Sequence, residues 1–299
     1  MLPNFIKAIL PSSVTNDDPL ICKMADGSSC PYHPMSLNNY KKITSWVRKQ
    51  VYPARKIPAL VDTPRYDKKL AVLVPYRNRE QHIPKFFEIV PKFLNDEHIS
   101  HEIVFIEQAD DKPFNRAKLL NIGASKMLNK ADYFCFHDID FLPETSSYAY
   151  INHPVCLINS ATQYDAAPPK LILGGVFMIR KEDFLKINGF SNNYWHWGCE
   201  DEDFFMRCLF SHLTPLTYSK GRYISQPHEL AINQTPDGTY HKDPETIAKL
   251  HDLYKKNEFR AKQMRRGMID FQTEGFNTLQ YELIENKEYE LYTKISVKL

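Results

Sequence analysis

The chain has 299 residues, with 38 Lys+Arg against 36 Asp+Glu, a formal net charge of +2 and 43% hydrophobic residues. That length is ample for a buried core in one large domain or two small ones, and the near-balance of charge gives no footing for nucleic-acid binding or for adhesion to an acidic membrane surface. The longest apolar run, Leu171 to Ile179, holds two glycines and falls well short of the ~20 residues needed to cross a bilayer, so no transmembrane segment is expected.

Residues 1–68 are punctuated by prolines, from Pro3 to Pro64, and read as an irregular extension packing on the domain, with one helix from Ser36 to Val51. Met1 to Lys7 has neither the basic start nor the long apolar run of a secretory signal. The six cysteines are an even number but read as free or buried thiols; Cys22 and Cys30 leave open a local bridge or half of a metal site.

A regular alternation begins at residue 69. Leu70 to Val74 is a short apolar run ending at Pro75, the pattern of a buried strand. Arg79 to Leu94 reads as a helix with Ile83, Phe86, Phe87, Val90 and Leu94 on one face, and Pro91 is expected to kink or end it. Glu102 to Ile106 is the next strand, Asn115 to Asn129 the next helix, and Tyr133 to Phe136 a third strand running into His137-Asp138-Ile139-Asp140. Beyond it, Leu171 to Ile179 reads as a strand, Glu182 to Ile187, Asp201 to Ser211 and Asp243 to Lys256 as helices, and residues 275–299 as two strands. Strands alternating with helices predict an α/β fold with a Rossmann-like, mostly parallel central sheet and helices on both sides. Ligands of such sheets sit past the strand C-termini, which brings Arg77, Arg79 and Asp138-Ile139-Asp140 to one crevice.

Asp138 and Asp140, two apart, offer hard carboxylate oxygens to a divalent cation, which in turn suits a diphosphate; the alternative is a solvated turn. Arg77, Arg79 and Arg116 are candidates for nucleotide phosphates, or merely surface arginines. Gly174-Gly175 marks a close ligand approach or a bulge. In Asn193 to Asp203, two tryptophans and a glycine precede four consecutive acids. Trp197 beside Gly198 suits an aromatic lid over a sugar, or a core tryptophan. Glu200 or Asp201 suits a general base for an acceptor hydroxyl; the alternative for any one acid is to complement a helix dipole, but four exceed that need. His228 is a metal ligand or a structural histidine.

Taken in order, these motifs resemble the β-1,4-galactosyltransferase family, glycosyltransferase family 7. The resemblance covers residues 70–299 and rests on Val74-Pro75-Tyr76-Arg77-Asn78-Arg79-Glu80, on Phe114-Asn115-Arg116-Ala117-Lys118-Leu119-Leu120-Asn121, on Asp138-Ile139-Asp140, on Gly174-Gly175 and on Asn188 to Gly198 with the acids that follow. It implies a GT-A catalytic domain over residues 69–299 and an inverting, Mn²⁺-dependent transfer from UDP-galactose or UDP-N-acetylgalactosamine to the 4-hydroxyl of an acceptor glycan such as terminal GlcNAc. Asp140 and His228 would ligate the metal. Pro75, Tyr76, Arg77, Arg79, Phe114, Arg116, Asp138, Ile139 and Gly175 would hold UDP. Trp197 would contact the donor and, with Gly198, shape the acceptor site. Asp201 would be the base, with Glu200 beside it, and Glu202 would bind acceptor hydroxyls.

There are departures from the family pattern. Ser225 stands where the vertebrate Golgi enzymes carry a methionine, and His196 and Cys199 stand where they carry glycine, which would stiffen the loop. Ile172 replaces a tyrosine whose hydroxyl crowds the donor's C2 substituent, which would admit an N-acetyl group. A sugar-binding module that kept the fold and lost catalysis is the alternative function. Without a leader, an anchor or the family's disulfide cysteines, the sequence reads as cytoplasmic, or as Golgi-lumenal if it is a trimmed fragment.

Overall fold

The structure is a computed structural model that describes residues 22–35, 59–162, 174–226 and 243–299. In chain order the strands are β1 (Cys22–Met24), β2 (Tyr32–Pro34), β3 (Ala59–Val61), β4 (Leu70–Tyr76), β5 (His101–Gln108), β6 (Tyr133–His137), β7 (Phe141–Thr145), β8 (Val155–Cys156), β9 (Ser160–Ala161), β10 (Val176–Arg180), β11 (Leu216–Tyr218), β12 (Arg222–Ser225), β13 (Glu282–Glu288) and β14 (Thr293–Lys298). The helices are α1 (Ile83–Asp96), α2 (Arg116–Met127), α3 (Lys181–Lys186), α4 (Glu200–Phe210) and α5 (Pro244–Arg265). The helix expected over 36–51 lies outside the described residues, as do Leu171 to Leu173.

One nine-stranded sheet runs in the order β13-β14-β5-β4-β6-β10-β8-β11-β2. Its centre, β14-β5-β4-β6, is parallel. All seven residues of β4 are buried, because helices cover both faces of the sheet. Successive side chains of β5 point to opposite faces. Phe105 meets Phe86 and Phe87 of α1, while Ile106 and Leu73 close on Gly123 of α2, where a Cβ would come within 2.7 Å of Ile106 Cδ1.

The sheet is less uniformly parallel than the alternation of elements predicts. β10 runs antiparallel to β6, and β13 antiparallel to β14. A short apolar run buried on both faces reads the same in either direction, so the sequence pattern does not fix its sense. β10 begins at Val176, after Gly174-Gly175 rather than through them. Two helices outrun their predicted ends. α1 passes through Pro91 to Asp96, since burial of Phe86, Val90 and Leu94 outweighs one lost backbone hydrogen bond near its C-terminus. α5 continues to Arg265, capped at its start by Asp243, whose carboxylate accepts from Thr246 N at 2.8 Å.

Two features place the site. The ladder between β4 and β6 ends at Leu73–Phe136, while the ladder between β4 and β5 continues to Tyr76. A crevice therefore opens past the β6 side of β4, at Pro75. Beneath it Phe136, Phe177, Phe184, Phe190 and Phe204 pack ring against ring, with Phe190 and Phe204 stacked at 4.1 Å. This cluster seats α4, which carries the acids, against β6, which leads into Asp138. A three-stranded sheet, β7-β12-β9, flanks the crevice and was not anticipated from the sequence. Its strands are short, and Pro143 in β7 argues against a strand.

Candidate active site

At the end of β4, Pro75 and Tyr76 are buried, and Tyr76 packs edge-on to Phe105. Arg77 donates to the Lys112 carbonyl at 2.8 Å and lies over the Phe114 ring at 5.1 Å. Arg79 is half-buried two residues on, at the entrance to the short turn before α1. Arg77, Arg79 and Phe114 thus line one end of the crevice. Asn115 caps α2 by accepting from Lys118 N at 2.9 Å, which sets Arg116 at the first position of the helix.

Arg116 is the hub. Its Nε donates to Asp138 Oδ1 at 2.7 Å, and its Nη1 stands 3.6 Å from Glu200 Oε1. Its two terminal nitrogens are buried and have no hydrogen-bond partner among the described residues. Buried guanidinium donors without hydrogen-bond acceptors are costly, and the Glu200 carboxylate beside Nη1 offsets part of that cost. Burial pushes the Asp138 carboxyl up to about 6 against the pull of Arg116, and neighbouring Asp140 adds to the rise.

The Asp138-Ile139-Asp140 turn is clamped through its backbone. Asp138 N donates to Gly175 O at 2.9 Å, and Gln226 N donates to Asp140 O at 2.7 Å. Ile139 is buried beneath the turn. Gly175 has φ +72°, and a Cβ there would come within 2.6 Å of Ile158 Cδ1 and 3.1 Å of Phe141. Gly175 is a left-handed residue immediately ahead of β10, packed against Ile158 and Phe141.

The tryptophan loop leads into α4. Trp197 is 48% exposed and stacks on Tyr254 of α5, with ring centroids 5.5 Å apart. It is not a core tryptophan. Asn257 of α5 is buried and donates to the carbonyls of Trp195 and Trp197. Gly198 lies against the Tyr254 ring, where a Cβ would come within 3.0 Å. His196 and Cys199 have φ of +66° and +76°. Side chains in that region cost about 1–2 kcal/mol each, so this loop is strained as well as braced.

The structure sorts the four acids into four roles. Glu200 faces Arg116. Asp201 accepts from Glu202 N at 2.7 Å, and its carboxyl is pushed up to about 8 by burial first, then by Glu200, against the pull of Arg116. Glu202 pairs with Arg265 at the end of α5. Asp203 is structural: fully buried, it accepts from Arg207 Nε at 2.5 Å and from the Tyr194 hydroxyl at 3.0 Å.

Arg116 thus ties the Asp138 turn to the N-terminus of α4, where Asp138, Asp140, Glu200 and Asp201 feel one another's charge, while Arg77 is held at Lys112 and Phe114. Ile172 and His228 lie outside the described residues. Sequence reading missed Tyr254, Asn257, Arg265 and Gln226. The first three sit on α5, about 60 residues from the loop they hold, and no local pattern links them to it.

Residues 39–153 match the N-terminal region of glycosyl transferase group 7, and residues 155–229 match the profile described as the N-terminal domain of galactosyltransferase. The chain belongs to glycosyltransferase family 7. This family 7 chain is 32% identical to human β-1,4-galactosyltransferase 1 over 239 residues, 77% of the chain and 55% of that protein. It is 34% identical to β-1,4-galactosyltransferase 4 of Cricetulus griseus over 236 residues, 77% of the chain and 63% of that protein. It therefore spans little more than half of the length of the curated relatives it matches. Among solved structures, the catalytic domain of Drosophila β1,4-galactosyltransferase 7 in complex with xylobiose superposes with a TM-score of 0.60 at 25% identity, covering 77% of this chain and 94% of that one. A mutant of the same fly enzyme, complexed with manganese, UDP-Gal and xylobiose, gives a TM-score of 0.59 at 24% identity over the same shares. The fold of the family 7 chain is thus of GT-A type.

Proposed function

We propose that this chain is an inverting β-1,4-glycosyltransferase that moves galactose or N-acetylgalactosamine from a UDP-sugar to the 4-hydroxyl of an acceptor sugar, with Mn²⁺ as cofactor. The observation that supports this most is Arg116, which joins a carboxylate on the strand-end turn, Asp138, to Glu200 of α4 while its buried terminal nitrogens make no hydrogen bond among the described residues. The fly enzyme's complex with manganese, UDP-Gal and xylobiose supports the same donor and metal.

In this reading Arg77 and Arg79, with Pro75, Tyr76, Phe114 and Ile139, seat the nucleoside, and the terminal nitrogens of Arg116 donate to oxygens of the nucleotide. Gly175 lets the donor approach the backbone. Two acids close together on a clamped turn, one of them raised by burial and by the other's charge, fit a divalent metal. Asp140 and His228 would hold it, although among the described residues no three such side chains converge. When bound, the cation supplies Lewis-acid stabilisation of the leaving diphosphate.

Asp201, rather than Glu200, is the base, because Glu200 is engaged by Arg116. A carboxyl titrating near neutrality is matched to removing a proton from an alcohol. The acceptor oxygen attacks C1 of the donor sugar from the face opposite UDP, the bond to the diphosphate breaks, and the hydroxyl proton passes to Asp201. Trp197 covers the reacting sugars and excludes water, while Glu202, held by Arg265, binds acceptor hydroxyls. An aliphatic Ile172 supports an N-acetylated donor.

Side-by-side kinetics with UDP-Gal and UDP-GalNAc, Mn²⁺ and acceptors ending in GlcNAc or xylose test this. Turnover of at least one donor is expected, with UDP-GalNAc used at least as well as UDP-Gal. A strong preference for UDP-Gal overturns the role given to Ile172, and no transfer from either donor overturns the function.

A further inference from the structure

The Asp138-Ile139-Asp140 turn is held from beneath by His137, the last residue of β6, and His137 is itself held by a line of hydroxyls that the reaction does not use. His137 is fully buried. Its Nδ1 lies 3.0 Å from the Asp138 carbonyl, and its Nε2 lies 3.0 Å from the Tyr148 hydroxyl. A carbonyl only accepts, so Nδ1 carries a proton, and a fully buried ring with no carboxylate bonded to it stays neutral, which leaves Nε2 bare. Nε2 must then accept from Tyr148.

The same logic runs outward. Tyr148 spends its single proton on His137, so its oxygen accepts from Tyr223 of β12, 3.3 Å away. Tyr223 in turn accepts from Ser146 Oγ at 2.7 Å, where the line reaches the partly exposed surface. Tyr148 and Tyr223 are as buried as the histidine. Tyr148 is fixed as well through its backbone, since Tyr133 donates to its carbonyl at 2.8 Å and Glu97 accepts from its N–H at 2.7 Å. One end of the relay is therefore rigid and the other solvated, and every proton in it has one direction.

The consequence falls on the turn. His137 Nδ1, at 3.0 Å, shares the Asp138 carbonyl with the Phe141 N–H at 3.2 Å, Gln226 Nε2 takes the Ile139 carbonyl at 3.3 Å, and Gln226 N the Asp140 carbonyl at 2.7 Å. Three successive carbonyls each have a donor, so the backbone presenting both aspartates is set before any ligand arrives. We infer that His137 is a positioning residue for donor binding, locked in its Nδ1–H form by the Tyr148–Tyr223–Ser146 hydroxyl relay. This rests on the reading of the Asp138–Asp140 turn as the UDP–metal site. Preorganising that turn lowers the ordering cost at binding, and so acts on donor affinity more than on the chemical step.

The test is calorimetric titration of the full chain with UDP in the presence of Mn²⁺, beside steady-state kinetics and thermal melts. Tyr148→Phe keeps the ring and removes the proton that fixes His137. It is expected to weaken UDP binding about fivefold, the worth of one hydrogen bond, and to raise KM for the UDP-sugar while leaving kcat within about twofold. His137→Asn, whose amide reaches the position of Nδ1 and keeps a donor there, is expected to bind within about twofold of the wild type, and His137→Leu about fivefold or more weakly. Wild-type UDP affinity in both Tyr148→Phe and His137→Leu, with only lowered melting temperatures, overturns the inference and leaves the proposed function standing. A wild-type chain that takes up no UDP overturns the function, and the inference with it.

Discussion

Replacing Asp201 by Asn separates the chemistry of the site from its cost. The carboxyl titrates near 8 in the fold against 3.8 for an unperturbed aspartate, chiefly because burial penalises its charged form. A folded-state pKa raised in this way contributes stability that is fully present below the unfolded value and is lost as pH rises through the folded one. Wild type should therefore lose stability between about pH 5 and pH 8.5, and Asp201→Asn should be spared that loss. The whole difference in pKa corresponds to roughly 4 kcal/mol over this interval, and halving that difference for the partial exposure of the site leaves about 1 kcal/mol. The variant's advantage in melting temperature should then widen by about 2 °C or more from pH 5 to pH 8.5. Activity moves the other way: loss of a general base costs about 10²–10⁴-fold in kcat, while UDP binding persists. In the wild type, kcat/KM should rise with pH through a pKa above the ordinary aspartate value, as the free enzyme's base loses its proton. Paired pH series of melts and transfer rates measure both effects. A variant that keeps its turnover, or whose stability tracks the wild type at every pH, would refute the assignment of Asp201 as a buried base.

Other substitutions test the remaining parts of the site. Asp140→Ala should abolish the Mn²⁺-dependent part of UDP affinity with little change in melting temperature, measured by calorimetry with and without the metal. Gly175→Ala meets both a positive φ and a contact at 2.6 Å, and should destabilise by about 1–3 kcal/mol in chemical denaturation while raising KM for the donor. Arg207→Met leaves Asp203 buried without its cation and should cost about 3–5 kcal/mol by the same measurement. Asn257→Ala frees the Trp195 and Trp197 carbonyls from α5 and should raise KM for the acceptor before it lowers kcat, read from acceptor-dependent initial rates.

Much of the donor end was legible in the sequence because it is local. Strand runs ending at Pro75 and His137 fix where the crevice must lie, and Arg77, Arg116 and the Asp138–Asp140 pair follow from those ends. The acceptor end was legible only as a cluster. Four acids in a row look alike in sequence, and only the fold sets Asp203, held by Arg207 and Tyr194, apart from Asp201, which has no ion pair of that kind. The contacts that hold the tryptophan loop come from α5, whose Tyr254, Asn257 and Arg265 belong to a helix of low overall hydrophobicity, and nothing in its periodicity announces partners some 60 residues away. The antiparallel sense of β10 was equally hidden, since direction is set by the connection and not by the strand's own residues.

β14 lies beside β5 in the parallel centre of the sheet, yet it is formed by residues 293–298. On the ribosome, then, β4, β5 and β6 are finished long before the strand that covers the outer flank of β5. Until that last segment emerges, His101 to Gln108 offers an unsatisfied row of amides and carbonyls to any passing chain, a ready template for misassembly. Order of manufacture thus leaves the nascent protein with one adhesive margin, sealed only once residues 293–298 have been made.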